Sequence, residues 1–185
     1  VTGWVAGRLG WRRLMIGTLI GFTIASIACG LSTNIESLLI SRTAQGLFGA
    51  PLTPLGQGML LATFAKRQHA LVLMLWGIGG TMGPVLGPIL GGVVGEALGW
   101  RWTYLFLAPI GVLAIIIAAF ALGDQQRGTS GRLGWTGFLS LAIAMGSAQL
   151  LLDRGHRLDW FESFEISAEL FICLIATLFF LGSTI

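Results

Sequence analysis

The chain alternates between long uncharged stretches and short charged segments. Five uncharged runs are complete, and a sixth begins near Leu170 and is expected to be cut short; the complete runs cover residues 14–35, 43–65, 70–95, 102–123 and 133–152. Each complete run has close to the ~20 residues that a helix needs to cross the hydrocarbon layer of a bilayer. The pattern predicts an all-α fold, a polytopic bundle of transmembrane helices, in which residues 1–6 end an earlier span.

Composition excludes an ordinary soluble domain. Hydrophobic residues make up 55% of the chain and charged residues 10%, with a mean hydropathy of +0.84, whereas soluble domains carry about 25% charged residues. The net charge of +3 comes with no basic patch interleaved with aromatic residues, so no nucleic-acid partner is expected. Cys29 and Cys173 lie inside apolar runs, where thiols behave as buried apolar groups, and neither a disulfide nor a metal site is expected.

Enzymatic chemistry is not indicated by any motif. The sequence has no metal-ligand spacing, no set of Ser, His and Asp residues at catalytic spacing, and no phosphate-binding glycine loop after a strand. We therefore expect the protein not to be an enzyme and to need no cofactor.

Glycine recurs at every fourth position within residues 70–95, at Gly79, Gly83, Gly87, Gly91 and Gly95. Residues four apart share a helix face, and small residues on that face let a second helix backbone approach closely. Pro84 and Pro88 each remove a backbone hydrogen bond from the same helix. These residues predict a bent membrane helix with a packing groove, and the same spacing predicts a second packed face at Gly17, Gly21, Ala25 and Cys29.

Lysine and arginine are divided unequally between alternate loops. One side carries Arg8, Arg12, Arg13, Lys66, Arg67, Arg127 and Arg132, and the other carries Arg101, Arg154 and Arg157. Because positively charged loops stay in the cytoplasm, loops 7–13, 66–69 and 123–135 are expected on the cytoplasmic side of the cell (inner) membrane. The interfaces of the membrane then fall at the tryptophans, Trp11 and Trp135 on the inner side and Trp100, Trp102 and Trp160 on the outer side.

Arg42 lies inside a predicted span, because the run of residues 43–65 extends upstream to Ser37. An arginine within a span costs at least about 2.5 kcal/mol. Two interpretations remain: the side chain reaches back to the lipid headgroups, or it faces a polar cavity and pairs there with a carboxylate or a substrate. Gln45 and Gly46 share its helix face and would supply a polar partner and space.

Trp76 lies too deep within residues 70–95 for an interfacial position. It either packs against lipid and neighbouring helices or, with Met74 on the same helix, lines a cavity for aromatic or cationic ligands. His69 and His156 fall in loops, where we expect them to be solvated.

Three short motifs stand out once the spans are placed. The first fits G-x-x-x-G-P-x-x-G-G and contains Gly83, Pro84, Gly87, Pro88, Gly91 and Gly92. The second fits R-x-x-Q-G and contains Arg42, Gln45 and Gly46. The third spans residues 3–13 and contains Gly3, Gly7, Arg8, Gly10, Arg12 and Arg13. Together they resemble the major facilitator superfamily, and within it the drug:proton antiporters of the fourteen-span EmrB/QacA type, although Gly7 stands where that family usually has an aspartate.

The resemblance implies a proton-coupled efflux transporter of multiple drugs or toxic compounds that works by alternating access. Arg42 and Gln45 would serve proton coupling and the cavity, the glycine–proline helix would serve packing and gating, and the segment 3–13 would act as a cytoplasmic gating loop. Residues 1–123 would belong to the N-terminal six-helix bundle, and residues 124–185 would hold a linker and two extra central spans, the second one truncated.

The resemblance also implies partners and leaves rivals. The partners would be small amphipathic or cationic substrates, protons and the lipid bilayer, with a periplasmic adaptor and an outer-membrane channel in a Gram-negative cell. The proton motive force would take the place of a cofactor. A proton-coupled importer or uniporter of a small metabolite within the same superfamily is one alternative, and a non-transporting membrane scaffold or receptor is another.

Overall fold

A computed structural model describes residues 2–123, 134–155 and 164–184, and all regular structure in these ranges is helical. The first range holds α1 (Thr2–Leu9), α2 (Trp11–Leu31), α3 (Ile35–Gly49), α4 (Leu52–Thr63), α5 (His69–Leu98), α6 (Trp100–Leu105) and α7 (Leu107–Ala121), with a 3₁₀ turn at Lys66–Gln68. The other two ranges hold α8 (Trp135–Gly155) and α9 (Phe164–Thr184). Helices α1 to α7 form one compact unit, and α8 with α9 belongs to a second.

The described helices confirm the predicted transmembrane all-α fold. Five stretches are long and apolar enough to cross a membrane: Trp11–Leu31, Lys66–Leu98, Trp100–Ala121, Trp135–Gly155 and Phe164–Gly182. The last stretch begins at Phe164 rather than near Leu170, and α9 has 21 residues. Glu165 lies in its first turn, where a carboxylate is favourable beside the positive helix end. An acidic residue here therefore belongs to the helix and does not mark the loop.

The run of residues 43–65 does not form one helix. It is divided between α3 and α4, which are 15 and 12 residues long. Ala50 and Pro51 keep right-handed helical dihedral angles, but Pro51 and Pro54 have no N–H group, so two sites of the helical hydrogen-bond pattern, three residues apart, lack a donor. The expected single span is thus interrupted at its centre by its own prolines.

α3 begins at a well-formed cap. The side chain of Asn34 accepts a hydrogen bond from the backbone N–H of Ser37 at 2.7 Å, and the Ser37 hydroxyl lies 3.4 Å from the N–H of Asn34. This reciprocal arrangement satisfies two N–H groups that the helix itself cannot. It fixes the start of the helix that carries Arg42.

α2 lies at the centre of the first unit and contacts α1, α3, α4, α6 and α7. Its predicted small-residue face is largely used: Ala25 and Cys29 are buried, and Gly21 packs against the ring of Phe48 from α3. At the end of the helix, a Cβ at Gly30 would lie 2.6 Å from the Leu105 side chain. Close approach of this kind explains why α2 can hold several neighbours at once.

α5 is one continuous helix of 30 residues with Pro84 and Pro88 inside it. Its glycine face is open over most of its length, since no other group of the described chain lies within 4 Å of a Cβ built at Gly79, Gly83 or Gly87. Contact is limited to its last turns, where Thr103 of α6 lies 3.5 Å from such a Cβ at Gly91 and 3.6 Å at Gly95. Within the described residues, the expected groove is therefore mostly unoccupied, and the expected bend stays a prediction.

Candidate functional site

Arg42 and Gln45 lie on one face of α3 and contact each other directly. The Arg42 Nη1 donates a hydrogen bond to the Gln45 Oε1 at 2.9 Å. The spacing of three residues places the two side chains on adjacent turns. The Arg42 side chain is otherwise exposed, whereas Gln45 is buried with 5% of its surface accessible.

Gln45 extends this contact into the core of the unit. Its Nε2 donates to the Ser26 Oγ of α2 at 2.8 Å, and the Ser26 hydroxyl donates to the Phe22 carbonyl at 2.8 Å. Ser26 is fully buried. Each hydrogen bond of this series runs from Arg42 toward the core: Arg42 donates to Gln45, Gln45 to Ser26 and Ser26 to the Phe22 carbonyl. The series satisfies the buried polar groups and fixes the side-chain amide of Gln45, which holds the guanidinium.

A third helix completes the surroundings of Arg42. The Arg42 Cζ lies 5.0 Å from the centre of the Tyr104 ring of α6, within the range of a cation–π interaction. Tyr104 in turn meets Trp100 edge to face, with ring centres 6.3 Å apart. We call Arg42, Gln45, Ser26 and Tyr104 the arginine cluster.

The arginine cluster is suited to holding a negative group. In the part of the chain that the structure describes, no carboxylate forms an ion pair with Arg42, and the guanidinium uses only one of its nitrogens for the bond to Gln45. A guanidinium has five N–H donors, so donors remain for a carboxylate or another anion. No group of His, Cys, Asp and Glu residues able to bind a metal occurs in the described ranges.

Trp76 packs between α5 and α4. Its ring fills the space beside Gly56, and a Cβ there would lie 3.0 Å from the Trp76 Cζ3. The ring also borders an apolar cavity of about 380 Å³, lined by Leu60, Phe64, Gln68, Leu71, Val72, Leu75 and Trp76. Met74 is 55% exposed and does not line that cavity. Of the two candidate cavity residues, Trp76 therefore lines this cavity and Met74 does not, and neither belongs to the arginine cluster.

The segment 3–13 is helical on both sides of a single turn residue. Gly10 has a φ of +90°, which glycine adopts without strain. Its N–H donates to the Ala6 carbonyl at 2.9 Å, and its own carbonyl accepts from the Leu14 N–H at 3.0 Å. Gly3, Gly7 and Arg8 lie in α1, and Arg12 and Arg13 lie in α2. The expectation of a loop is wrong here, because one glycine suffices to turn the chain between two helices.

The basic residues of this segment have separate surroundings. Arg12 donates to the Ala119 carbonyl at 2.8 Å, which ties the start of α2 to the last turn of α7, where helix carbonyls lack partners. Arg8 stacks on Trp4 at 4.1 Å, and Arg13 is exposed. Trp11 packs against Gly58 of α4, where a Cβ would lie 2.5 Å from its ring, and its expected position at the membrane interface stays a prediction. A gating role for the segment stays a prediction.

Comparison with known proteins identifies the family. Residues 1–185 match the model of the Major Facilitator Superfamily over the whole chain. The chain belongs to the major facilitator superfamily.

Several curated relatives are similar to most of the chain. The chain is 36% identical to the multidrug export protein EmrB of Escherichia coli (strain K12) over 97% of its own length and 35% of that protein's length. It is 35% identical to the fatty acid resistance protein FarB of Neisseria gonorrhoeae, over 90% and 33% of the two lengths. A multidrug resistance protein B homolog of Mycobacterium tuberculosis is 37% identical, over 78% and 27%. The chain thus spans about a third of the length of the first two relatives.

These matches confirm the resemblance to the EmrB/QacA type of the superfamily. Membership of a transporter family also confirms the interpretation of the chain as a transporter part rather than an enzyme. The roles of individual residues are not tested by the matches and stay predictions.

Two members of the arginine cluster, Ser26 and Tyr104, were not predicted from the sequence. Ser26 sits one position after Ala25 in the predicted packed face of α2, and Tyr104 is the only tyrosine in the sequence. A buried hydroxyl in an apolar run is a signal that could have been followed, because it needs a partner. Nothing in the spacing of the sequence connects either residue with Arg42, since the three lie on different helices.

Proposed function

We propose that the protein containing this chain is a proton-coupled multidrug efflux transporter that moves small amphipathic or cationic compounds by alternating access. Three observations support the proposal: membership of the superfamily, the names of relatives such as multidrug export protein EmrB, and an arginine that the sequence predicts to lie within a span and that a buried series of hydrogen bonds holds in place. The arginine cluster is the observation that carries the proposal. A scaffold has no need of a charge that costs free energy in a span, whereas a transporter uses one.

The geometry gives Arg42 a specific role in this proposal. Gln45 and Ser26 hold the guanidinium on the unit while its remaining donors stay available. A carboxylate that pairs with Arg42 is bound while ionised, and protonation cancels its attraction to the guanidinium. Uptake and release of a proton by the paired carboxylate are thereby linked to the loss and formation of its ion pair with Arg42. The proton motive force supplies about 2.3 kcal/mol per charge per 100 mV.

Substitution of Arg42 tests this role. In proteoliposomes with the full-length protein and an imposed pH gradient, Arg42→Ala is expected to abolish export of a fluorescent lipophilic cation. Arg67→Ala, which removes an exposed arginine of the 3₁₀ turn Lys66–Gln68, is the matched control and is expected to leave export within about twofold, because a solvated surface charge contributes little. Undiminished export by folded Arg42→Ala would contradict the proposal.

The same assay separates the rival functions. An importer moves the fluorescent cation with the protons rather than against them, so the direction of both fluxes decides between import and export. A uniporter moves it without proton flux. A scaffold or receptor moves neither, in the unsubstituted protein as well as in the variant.

A second substrate class is favoured by the charge of the arginine cluster. Arg42 presents a positive charge that no described carboxylate neutralises, which suits an amphipathic carboxylate better than a cation. One relative bears the name fatty acid resistance protein FarB. Competition between a long-chain fatty acid and the lipophilic cation tests this. If the fatty acid is the better substrate, it displaces the cation in the unsubstituted protein. Arg42→Lys should then reduce transport of the fatty acid more than transport of the cation, because lysine cannot bind a carboxylate through two parallel hydrogen bonds.

The orientation and partners are also part of the proposal. The excess of Lys and Arg favours segments 7–13, 66–69 and 123–135 on the cytoplasmic side of the inner membrane. The last of these lies largely outside the described residues. A periplasmic adaptor and outer-membrane channel would serve export across a Gram-negative envelope. Accessibility of Arg67→Cys to a membrane-impermeant thiol reagent in intact cells tests the orientation, and labelling from outside would reverse it.

A further inference from the structure

Two aromatic rings of α6 each carry a guanidinium. Arg42 of α3 lies over Tyr104, with its Cζ 5.0 Å from the ring centre, and Arg101 lies over Trp100, with its Cζ 4.5 Å from the ring centre. The two rings meet edge to face, with their centres 6.3 Å apart. In the part of the chain that the structure describes, neither arginine forms an ion pair with a carboxylate. The negative faces of the two rings are therefore the surfaces that both cations use.

The two guanidiniums are held in different ways. Arg101 is next to Trp100 in the sequence, and its Nη2 donates a hydrogen bond to the Ser32 carbonyl at the end of α2, at 3.2 Å. Arg42 comes from a different helix than the ring that it covers, and its hydrogen bond goes to Gln45 of its own helix. The cation–π contact is thus its only described attachment to α6. Arg42 can leave the ring without breaking a hydrogen bond, whereas Arg101 cannot leave without losing the bond to the backbone.

Tyr104 itself stays in place because α6 packs closely against the end of α2. A Cβ at Gly30 would lie 2.6 Å from the Leu105 Cγ and 3.2 Å from the Arg101 carbonyl. Tyr104 is half-buried, and in the described chain its hydroxyl makes no hydrogen bond. The face of the ring is therefore the group that this residue offers to a neighbour, and Arg42, which is exposed, covers it from the open side.

We propose that the face of the Tyr104 ring is a binding subsite for the cationic group of an amphipathic compound, and that Arg42 occupies this subsite while the compound is absent. The inference rests on the proposed function and names the place where a cationic substrate binds. Aromatic faces bind organic cations such as quaternary ammonium groups without a carboxylate. When the compound binds, the guanidinium leaves the ring and keeps its bond to Gln45.

The two substrate classes then use different parts of the arginine cluster. A carboxylate binds the guanidinium of Arg42, and a cation binds the ring that the guanidinium leaves. Arg42 opposes the cation in two ways: it has to be displaced, which lowers the apparent affinity by the fraction of molecules in which the ring is free, and its charge repels a like charge nearby. Removal of the guanidinium should therefore strengthen binding of the cation, although it abolishes export.

Equilibrium binding to the full-length protein in lipid nanodiscs, without a proton gradient, tests the subsite. The probe is radiolabelled benzyltrimethylammonium. Tyr104→Leu is expected to raise its Kd about tenfold, whereas Tyr104→Phe, which keeps the ring, should leave the Kd within about twofold. Trp102→Leu removes an exposed aromatic ring of the same helix and is the matched control, with an unchanged Kd. An unchanged Kd in Tyr104→Leu, an equal rise in Trp102→Leu, or no binding to the unsubstituted protein overturns the proposal.

A variant of Arg42 tests whether the guanidinium competes for the ring. Arg42→Gln removes the charge and keeps a polar side chain, and it is expected to lower the Kd of the cation by at least about threefold. An unchanged or higher Kd overturns the occupation of the ring by Arg42.

An uncharged compound of the same shape tests whether the subsite recognises charge. Neopentylbenzene should displace the radiolabelled cation far less well than unlabelled benzyltrimethylammonium does, and equal displacement would show an apolar pocket and overturn the cationic subsite. Binding without a gradient has no direction, so this result and the direction of transport are independent. A protein that exports the cation without this binding pattern keeps the proposed function, and one that shows the pattern without export keeps the subsite.

Discussion

α2 and α5 carry the same sequence feature and use it differently. Both repeat small residues along one face, at Gly21, Ala25 and Cys29 in α2 and at Gly79, Gly83 and Gly87 in α5. Of the span of α2, 33% is buried, against 6% for the span containing α5. The small residues of α2 accept Phe48 and other side chains, whereas those of α5 face open space over most of the described helix.

The difference shows what small-residue spacing does and does not encode. The spacing creates a surface onto which a helix can pack, but contact also needs a neighbour of matching shape. α2 has such neighbours, since Phe48 of α3 and Leu105 of α6 fill its glycine positions. Near the first glycines of α5, the described chain supplies none. The face of α2 is therefore packed within the described unit, whereas that of α5 has no neighbour there over most of its length. A role of the α5 face in gating stays a prediction, which the third substitution below tests.

The largest effect is expected from filling a glycine position of α2. A Cβ at Gly30 would lie 2.6 Å from the Leu105 Cγ and 3.2 Å from the Arg101 carbonyl, which is backbone and cannot move aside. Gly30→Leu should therefore destabilise the fold by about 3 kcal/mol, seen as a lower thermal unfolding midpoint in detergent. Gly17→Leu, on the same helix but with no other group within 4 Å, is the control. Equal thermal unfolding midpoints for Gly30→Leu and Gly17→Leu would contradict the distinction between glycines that contact a neighbouring helix and glycines that do not.

Removing the hydroxyl of Ser26 should have the next largest effect. Ser26→Ala leaves the buried Gln45 Nε2 without its acceptor, at a cost of about 1–2 kcal/mol. Gln45 is then free to turn, so Arg42 loses its fixed position and export should fall as well. Thermal unfolding and proteoliposome export report the two effects separately. If export is lost with unfolding unchanged, Ser26 acts on Arg42 alone; if neither changes, the hydrogen-bond chain is unimportant.

A substitution in the face of α5 should separate folding from transport. Gly87→Ala meets no other group of the described chain and gains helix propensity, so stability should change by no more than about 1 kcal/mol. Gly87→Leu is expected to abolish export by steric blockage while the protein still unfolds at a normal temperature. Full activity of Gly87→Leu would show that the face is not used, and an unfolded Gly87→Leu protein would show that it serves folding after all.

The smallest effect is expected at Thr81 of α5. Its hydroxyl donates only to the Gly77 and Ile78 carbonyls of its own helix, at 3.1 and 2.9 Å, and the residue is exposed. Thr81→Ala should change stability by less than about 0.5 kcal/mol. When both variants are measured in the same unfolding assay, Ser26→Ala removes a hydroxyl that is hydrogen-bonded to a side chain of another helix, and Thr81→Ala removes a hydroxyl that is not. A cost equal to that of Ser26→Ala would contradict the role assigned to Gln45.

The sequence predicted the helices well because hydrophobic length alone defines a span. It failed where single residues decide. Two prolines divide the span of α3 and α4, a lone Gly10 makes two helices of an expected loop, and acidic residues near the start of α9 belong to the helix. In each case the residue responsible can be seen in the sequence, but its effect on the helix depends on the groups that surround it in the folded chain.

The arginine cluster was half predictable. Arg42 and Gln45 share one helix, so their contact follows from a spacing of three residues. Ser26 and Tyr104 lie on α2 and α6, and only the packing of those helices against α3 brings them near. Periodicity describes one helix at a time, and for that reason the two partners on other helices could not be found from it.

The interruption between α3 and α4 has a mechanical consequence. The carbonyls of Leu47 and Ala50 cannot receive the usual helical bonds, because the residues four positions later are Pro51 and Pro54. A bend in an uninterrupted helix has to stretch such bonds, whereas two are missing here, as two are missing at Pro84 and Pro88 of α5. The resistance to bending is therefore lowest here, about two turns after Arg42, so that α3 with its arginine can tilt relative to α4 at a smaller cost in free energy than a continuous helix would require.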